Sequence, residues 1–157
     1  MKIPGKKILI WIGVCLAVGA ISGLLSREGT AIYASVMQKP PLSPPGWVFP
    51  VVWTVLYTLM GIGAGLVQAE PASKARSWGL NFMAVQLVVN FFWPLFFFNL
   101  QAYGFSLVWL LLLWGLVLGM VLQYRKVVPL AAKLQIPYLL WLGFAAYLNA
   151  GVWWLNM

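Results

Sequence analysis

The chain has 157 residues, of which 63% are hydrophobic and only 8% are charged. A soluble domain of this size carries about 25% charged residues, and the two acids here, Glu28 and Glu70, cannot supply a water-facing surface. The composition therefore predicts an integral membrane protein. The net charge of +8 does not indicate nucleic-acid binding, because the ten Lys and Arg residues form short clusters between apolar stretches.

Five apolar segments follow one another along the chain, each close to the ~20 residues that a helix needs to cross a bilayer. They cover residues 8–25, 47–68, 79–99, 104–124 and 130–155. Because they are continuously apolar and do not alternate at period two, a β-barrel is disfavoured. We expect one all-α membrane domain over residues 1–157, built as a five-helix transmembrane bundle. Pro94 and Pro137 should kink or interrupt their spans.

The positive charges predict the orientation of the bundle. Eight of them fall on the side of the N-terminus: Lys2, Lys6, Lys7, Lys74, Arg76, Arg125, Lys126 and Lys133. Only Arg27 and Lys39 fall on the other side. Since cytoplasmic loops are rich in Lys and Arg, we expect a cytoplasmic N-terminus and an external C-terminus. A cleaved signal peptide is the alternative for residues 1–25, although the apolar run is longer than is usual for one.

The residue types present exclude several kinds of site. The chain has no His, two acids and one cysteine, Cys15. A structural zinc site and a His-ligated haem are therefore excluded, and no intrachain disulfide can form. No ionisable Asp, Glu, Lys or Arg lies in the middle of a predicted span, which disfavours an ion-coupled pump and acid–base catalysis.

The external segment 26–46 is too long for a simple connector. It is rich in proline, which fixes φ and removes backbone donors, and it leads directly into an aromatic span. We interpret it as an ordered lid over a pocket. The lid residues are Pro40, Pro41, Leu42, Pro44, Pro45 and Trp47.

Polar and aromatic side chains form stripes on three of the spans. The second span carries Trp53 and Tyr57, the third carries Gln86, Asn90 and Trp93, and the fifth carries Tyr138, Trp141, Ala145 and Asn149, all at helical spacing. Because unpaired amides in lipid cost several kcal/mol, these faces should turn inward. They predict one cavity suited to a flat, mostly apolar ligand.

A purely structural interpretation of the same residues stays open. Amides in membrane helices often only bond neighbouring helices, and aromatic residues often only mark the membrane interface. The spacings Gly61-x-x-x-Gly65 and Gly115-x-x-x-Gly119 would allow close helix packing and permit a homodimer.

The motifs of these segments resemble those of the TspO/MBR family, the tryptophan-rich sensory proteins, also called translocator protein or peripheral-type benzodiazepine receptor. The matching stretches are Lys39-Pro40, Pro44-Pro45-Gly46-Trp47-Val48-Phe49-Pro50, Trp53-Thr54-x-Leu56-Tyr57, Gln86-Leu87-x-x-Asn90-x-x-Trp93-Pro94-x-Phe96-Phe97, Pro129-Leu130-Ala131-Ala132-x-Leu134 and Pro137-Tyr138-Leu139-x-Trp141-x-x-Phe144-Ala145-x-Tyr147-Leu148-Asn149. They cover most of the chain in the family's order.

The resemblance implies a five-helix bundle, often dimeric, whose pocket lies under the first loop. It implies tetrapyrrole ligands such as protoporphyrin IX and haem-like compounds, benzodiazepine-type drugs and, in animal members, cholesterol. No cofactor is required; a porphyrin would be ligand or substrate. Trp53 and Trp141 become the stacking or reactive pair. The implied pocket lining comprises Tyr57, Asn90, Trp93, Tyr138, Phe144, Ala145 and Leu148, to which the stripes add Gln86 and Asn149.

The chain departs from the family pattern at two places. The family usually has Trp where Leu42 stands, so one lid aromatic is lost. The cholesterol-recognition stretch of the last helix needs a Tyr and a downstream basic residue, whereas Ala150 and Trp154 occupy the matching positions.

Three functions follow from these features, ranked in this order. The first is a receptor or sensor that binds tetrapyrroles and benzodiazepine-type drugs. The second is light-dependent oxidative degradation of protoporphyrin IX, which needs no acid–base residue. The third is transport of a tetrapyrrole or sterol. The expected location is a bacterial plasma membrane.

Overall fold

The computed structural model describes residues 3–157, which are all-helical apart from turns and connecting segments. The helices are α1 (Gly5–Leu25), α2 (Arg27–Ser35), α3 (Val48–Gln68), α4 (Lys74–Pro94), α5 (Tyr103–Val127), α6 (Pro129–Lys133) and α7 (Ile136–Leu155). A π-helical turn, Leu95–Asn99, extends α4. Lys2, one of the cations counted for orientation, lies outside the described residues.

Five helical segments are long and apolar enough to cross a membrane, which confirms the predicted number of spans. They are Gly5–Leu25, Val48–Gln68, Lys74–Asn99, Tyr103–Val127 and Pro129–Leu155. The third begins five residues before the predicted 79, because the Ser73 side chain accepts a hydrogen bond from the Arg76 amide and caps α4. The direction in which the chain crosses the membrane stays a prediction.

Proline interrupts two of the spans. Pro94 ends the regular part of α4, and the π turn follows at once, since proline removes one backbone donor from the helix ladder. The fifth span is broken at Leu134 and Gln135, between α6 and α7, and Pro137 lies in the first turn of α7. A proline is tolerated there because first-turn amides have no helical partner.

Packing within the bundle follows the small residues. α1 packs most extensively along α3, and α5 packs along both α4 and α7. At Gly61 and Gly65 the α3 backbone meets α1; an added Cβ would lie 2.5 Å from Ile12 Cα and 2.7 Å from Ile8 Cα. The Gly61-x-x-x-Gly65 spacing is thus used inside one chain.

The external segment 26–46 is partly helical, which the proline-rich sequence did not predict. Its first half forms α2, and its second half is an irregular segment. α2 lies against the π turn at Gly29, where an added Cβ would come within 2.5 Å of the Phe98 carbonyl oxygen. Tyr33 is buried on the same side and contacts the Phe97 and Phe98 rings.

Candidate functional site

A cavity of about 1000 Å³ lies between α1, α2, α3 and α4, beneath the second half of the external segment. Trp53 and Tyr57 line it from α3, and Asn90 and Trp93 line it from α4. Two of the three predicted stripes therefore meet at one hollow. The volume lies at the upper end of the range of small-molecule sites.

The wall formed by α1 was not predicted from the sequence. Gly19, Ser22, Gly23 and Ser26 share one helical face and line the cavity. The Ser22 hydroxyl donates to the Phe91 carbonyl at 2.8 Å, which satisfies its polar group. The spacing i, i+3, i+4, i+7 of these small residues was the available signal, because small side chains leave room beside a helix.

A chain of hydrogen bonds leads from the cavity into the core. The Tyr57 hydroxyl donates to Asn90 Oδ1 at 3.2 Å, and Asn90 Nδ2 donates to the Tyr138 hydroxyl at 2.6 Å. Tyr138 in turn donates to Gln86 Oε1 at 2.7 Å. Gln86 is fully buried, and its amide nitrogen faces two buried methionine sulfurs. Gln86 and Tyr138 therefore hold the cavity residues from behind and do not line the hollow.

Asn149 holds Trp93, the second tryptophan of the cavity lining, by a hydrogen bond from the core. The Trp93 indole nitrogen donates to Asn149 Oδ1 at 3.1 Å, while Asn149 Nδ2 donates to the Tyr103 carbonyl at 2.8 Å. The Trp93 ring stacks on Phe97 with ring centroids 4.9 Å apart. These contacts hold one face of the Trp93 indole against the bundle, and its remaining surface lines the cavity.

The fifth-span residues Trp141, Phe144, Ala145 and Leu148 do not line this cavity. Ala145 and Leu148 are buried in the bundle, and Trp141 packs against Phe144. Phe49 lines the cavity and meets Trp141 edge-on, with centroids 5.8 Å apart. The indole nitrogen of Trp141 is buried without a hydrogen-bond partner among residues 3–157. Their roles as ligand contacts stay predictions.

Only part of the predicted lid borders the hollow. Pro44 and Pro45 line the cavity, whereas Leu42 and Trp47 are largely exposed. Leu42 adopts φ +70° in the turn after Pro41 and is 82% exposed. Its side chain is not part of the cavity lining.

The lid is attached to α7. Pro40 packs on Gly151, and the Tyr147 hydroxyl donates to the Pro41 carbonyl at 2.6 Å. Asn156 exchanges two hydrogen bonds with the Gln38 backbone, at 3.2 and 2.8 Å. The segment is thus fastened on the far side of the cavity from α1 and α2.

The electrostatics of the cavity are asymmetric. Its lining contains no acid, and its cations, Arg27 and Lys39, belong to α2 and to the external segment. Burial raises the pKa of the Tyr33 phenol, so its hydroxyl stays protonated at neutral pH. The deeper lining is aromatic, with the Asn90 amide and the Tyr57 hydroxyl as polar groups. Such a surface can stack a flat apolar molecule and hydrogen-bond a few of its edges.

Comparisons with known proteins agree with this architecture. The model of the TspO/MBR family matches residues 11–155. The chain is 36% identical over 146 residues to the tryptophan-rich protein TspO of Chlorobaculum tepidum, covering 92% of both chains. It is 42% identical over 128 residues to the translocator protein of Ovis aries, covering 80% of this chain and 75% of the relative. It is 35% identical to the protein CrtK of Rhodobacter capsulatus over 148 residues, covering 94% and 91% respectively.

Proposed function

The chain belongs to the TspO/MBR family and is an integral membrane protein, and from this premise we propose that it is a receptor or sensor for tetrapyrroles. Protoporphyrin IX and haem-like compounds, and benzodiazepine-type drugs, would bind in the cavity under the external segment. The observation that carries the proposal is a hollow of about 1000 Å³ lined by Trp53, Tyr57 and Trp93. Rings of this kind stack on flat macrocycles.

The proposal assigns different roles to the predicted site residues. Trp53, Tyr57, Asn90 and Trp93 would touch the ligand. Tyr138 and Asn149 would be positioning residues, because they are hydrogen-bonded to Asn90 and Trp93. Gln86 would act one step further from the ligand, through its hydrogen bond with Tyr138. Pro44 and Pro45 would cover the ligand from the lid.

The test is an absorbance titration of protoporphyrin IX against purified protein in the dark. A shifted Soret band should appear, and Trp53→Phe should weaken binding by about two- to thirteen-fold, since one stacking contact is worth roughly 0.5–1.5 kcal/mol. Trp78→Phe is the matched control, because Trp78 is exposed and lies outside the cavity. No spectral shift at micromolar protein, or equal losses in both variants, would remove the proposal.

A second function, light-dependent oxidative degradation of protoporphyrin IX, has one observation in its favour. Trp53 lines the cavity and contacts two further oxidisable rings, Tyr57 at 5.5 Å and Tyr138 at 6.1 Å between centroids. The porphyrin would be its own photosensitiser and dioxygen the oxidant. Trp53 would donate electrons or hold the macrocycle, and Trp141 would donate electrons from behind Phe49. Protein-dependent loss of the Soret band under light, abolished by Trp53→Phe, would support turnover; unchanged bleaching would leave binding alone.

The proposal also covers the membrane, the orientation of the chain in it and the oligomeric state. We place the protein in a bacterial plasma membrane with its N-terminus in the cytoplasm, which puts the cavity mouth outside. A homodimer, which the family resemblance implies, is compatible with the open space beside Gly115, where nothing lies within 4 Å of an added Cβ. Light scattering on the purified protein in detergent would measure the oligomeric state.

A further inference from the structure

Two cations line the cavity on the side of the external segment. Arg27 begins α2, and Lys39 lies where the external segment turns toward Pro40; both line the hollow. They are the two Lys and Arg residues of the chain that lie on the predicted external side. In the sequence they contribute only to the predicted orientation of the bundle, and the family resemblance implies no role for them.

The Lys39 side chain is held at this mouth. Its Nζ donates to the Ala34 carbonyl at 3.0 Å and lies 5.1 Å from the centroid of the Tyr33 ring. Tyr33 is only 8% exposed, so the ring is a fixed platform below the ammonium group. An ammonium has three donors, so Lys39 keeps donors for a ligand after this bond.

Arg27 has its donors available. Its guanidinium makes no hydrogen bond or ion pair within residues 3–157, and its side chain is exposed. Glu28 and Glu70 are the only acids of the chain, and neither lines the cavity. The neighbouring hydroxyls of Ser26, Thr30 and Ser43 already donate to backbone carbonyls. The two cations are therefore the strongest free donors at the mouth.

The charge is placed at one end of an otherwise uncharged hollow. Below Arg27 and Lys39 the lining is aromatic and small, and it contains no further ionised group. A ligand that matches both regions has a flat apolar body with anionic groups at one edge. The guanidinium fork matches a carboxylate by two parallel hydrogen bonds, and the ammonium adds a point charge.

We propose that Arg27 and Lys39 bind the carboxylates of an amphipathic ligand and make the site selective for acids over their neutral esters. This inference rests on the proposed function, because it concerns the same cavity. It places the carboxylate edge of a porphyrin at the mouth and its ring beside Trp53 and Trp93. It also predicts that neutral drugs bind without help from these two side chains.

The test compares protoporphyrin IX with its dimethyl ester, titrated in the dark in a neutral detergent. The wild-type protein should bind the acid about ten-fold more tightly, since charge-assisted hydrogen bonds are about twice as strong as neutral ones while partial exposure weakens them. The double variant Arg27→Gln/Lys39→Gln should bind both compounds equally, with its ester affinity unchanged. Added salt should weaken binding of the acid only.

Arg125→Gln/Lys126→Gln is the matched control, because it removes the same charge at the other end of the bundle. It should keep the preference for the acid. An unchanged preference for the acid in the Arg27/Lys39 variant, or no such preference in the wild type, would overturn this inference. Binding of the ester would still support the proposed function in that case. If the wild type bound neither compound, the proposed function itself would fail.

Lipid headgroups are the other source of anionic groups at this depth. The same titrations in nanodiscs of phosphatidylcholine, with and without phosphatidylglycerol, distinguish the two. A preference for the acid in both discs supports ligand binding. The opposite result is no preference for the acid in either disc, together with wild-type affinities that change only when phosphatidylglycerol is added. That result would assign the two cations to lipid and overturn the inference.

Discussion

Asn90 joins the cavity to the core of the bundle through its two amide atoms. Its oxygen accepts from Tyr57 on α3, and its nitrogen donates to Tyr138 on α7. Asn90 itself is only 2% exposed, so both of its partners are shielded from bulk solvent. An amide can accept and donate at once, which is what a position between two hydroxyls requires.

Replacing Asn90 by Ala should lower the free energy of unfolding by about 0.6–1.7 kcal/mol, the range measured for hydrogen bonds between membrane helices. The measurement is unfolding in mixed detergent micelles, followed by circular dichroism. Asn81→Ala is the control on the same helix, since Asn81 is exposed and makes no such bond among the described residues. Equal stability of the two variants would show that the network contributes little.

Between helices, α1 and α3 approach each other closely at two glycines. Gly61 and Gly65 have no side chain of their own to separate the α3 backbone from Ile12 and Ile8 of α1. Without a hydrophobic driving force between helices in lipid, such contacts stabilise the pair through van der Waals packing. The α1 wall of the cavity depends on this pair, because α1 also carries Ser22 and Gly23.

Gly61→Ala should destabilise the protein by about 1–3 kcal/mol, as overpacking of a close contact does. The reason is that the new methyl group would lie 2.5 Å from Ile12 Cα. Thermal unfolding in detergent measures the effect. Gly13→Ala on α1 should be neutral, because nothing lies within 4 Å of its Cβ position. A stable Gly61→Ala protein would contradict this packing.

The second half of the external segment, which forms the lid, is attached to the end of α7 by few hydrogen bonds. Tyr147→Phe removes the bond to the Pro41 carbonyl, and Asn156→Ala removes both bonds to Gln38. Amide hydrogen exchange over residues 36–46 should accelerate about five-fold for each bond lost, at ~1 kcal/mol per hydrogen bond. Ser35→Ala, whose hydroxyl bonds only within α2, should leave exchange there unchanged.

At the scale of the molecule, the distribution of charge predicts the direction of insertion. Lys74 and Arg76 lie in the first turn of α4, and Arg125 and Lys126 lie in the last turn of α5. The cavity mouth lies at the opposite end, beside Arg27 and Lys39. A ligand would therefore enter from outside the cytoplasm if the positive-inside rule holds for this chain.

An impermeant maleimide applied to intact bacterial cells should label Ser35→Cys and should not label Ala72→Cys. Both positions are exposed, and they lie at opposite ends of the bundle. The native Cys15 is buried within α1, so the wild-type protein supplies the unlabelled background. The reverse labelling pattern would invert the orientation and move the cavity mouth to the cytoplasmic side.

The membrane class, the five spans and the inward face of α4 could all be predicted from the amino-acid sequence. These features depend on local composition and helical periodicity, because lipid admits few alternatives to an apolar helix. The stripe of Gln86, Asn90 and Trp93 is buried as its spacing indicated. The π turn after Pro94 and the break before Pro137 followed from the exclusion of proline from helix interiors.

The helices that enclose the cavity could not be predicted in this way and are known from the folded bundle. α1 and α2 form one wall, while Trp141 and its neighbours on α7 stand behind Phe49. Helix partners in a bundle are selected by long-range contacts such as those of Gly61 with α1, which periodicity along one segment does not contain. For the same reason, Arg27 and Lys39 line one cavity because of how the segment between them folds back.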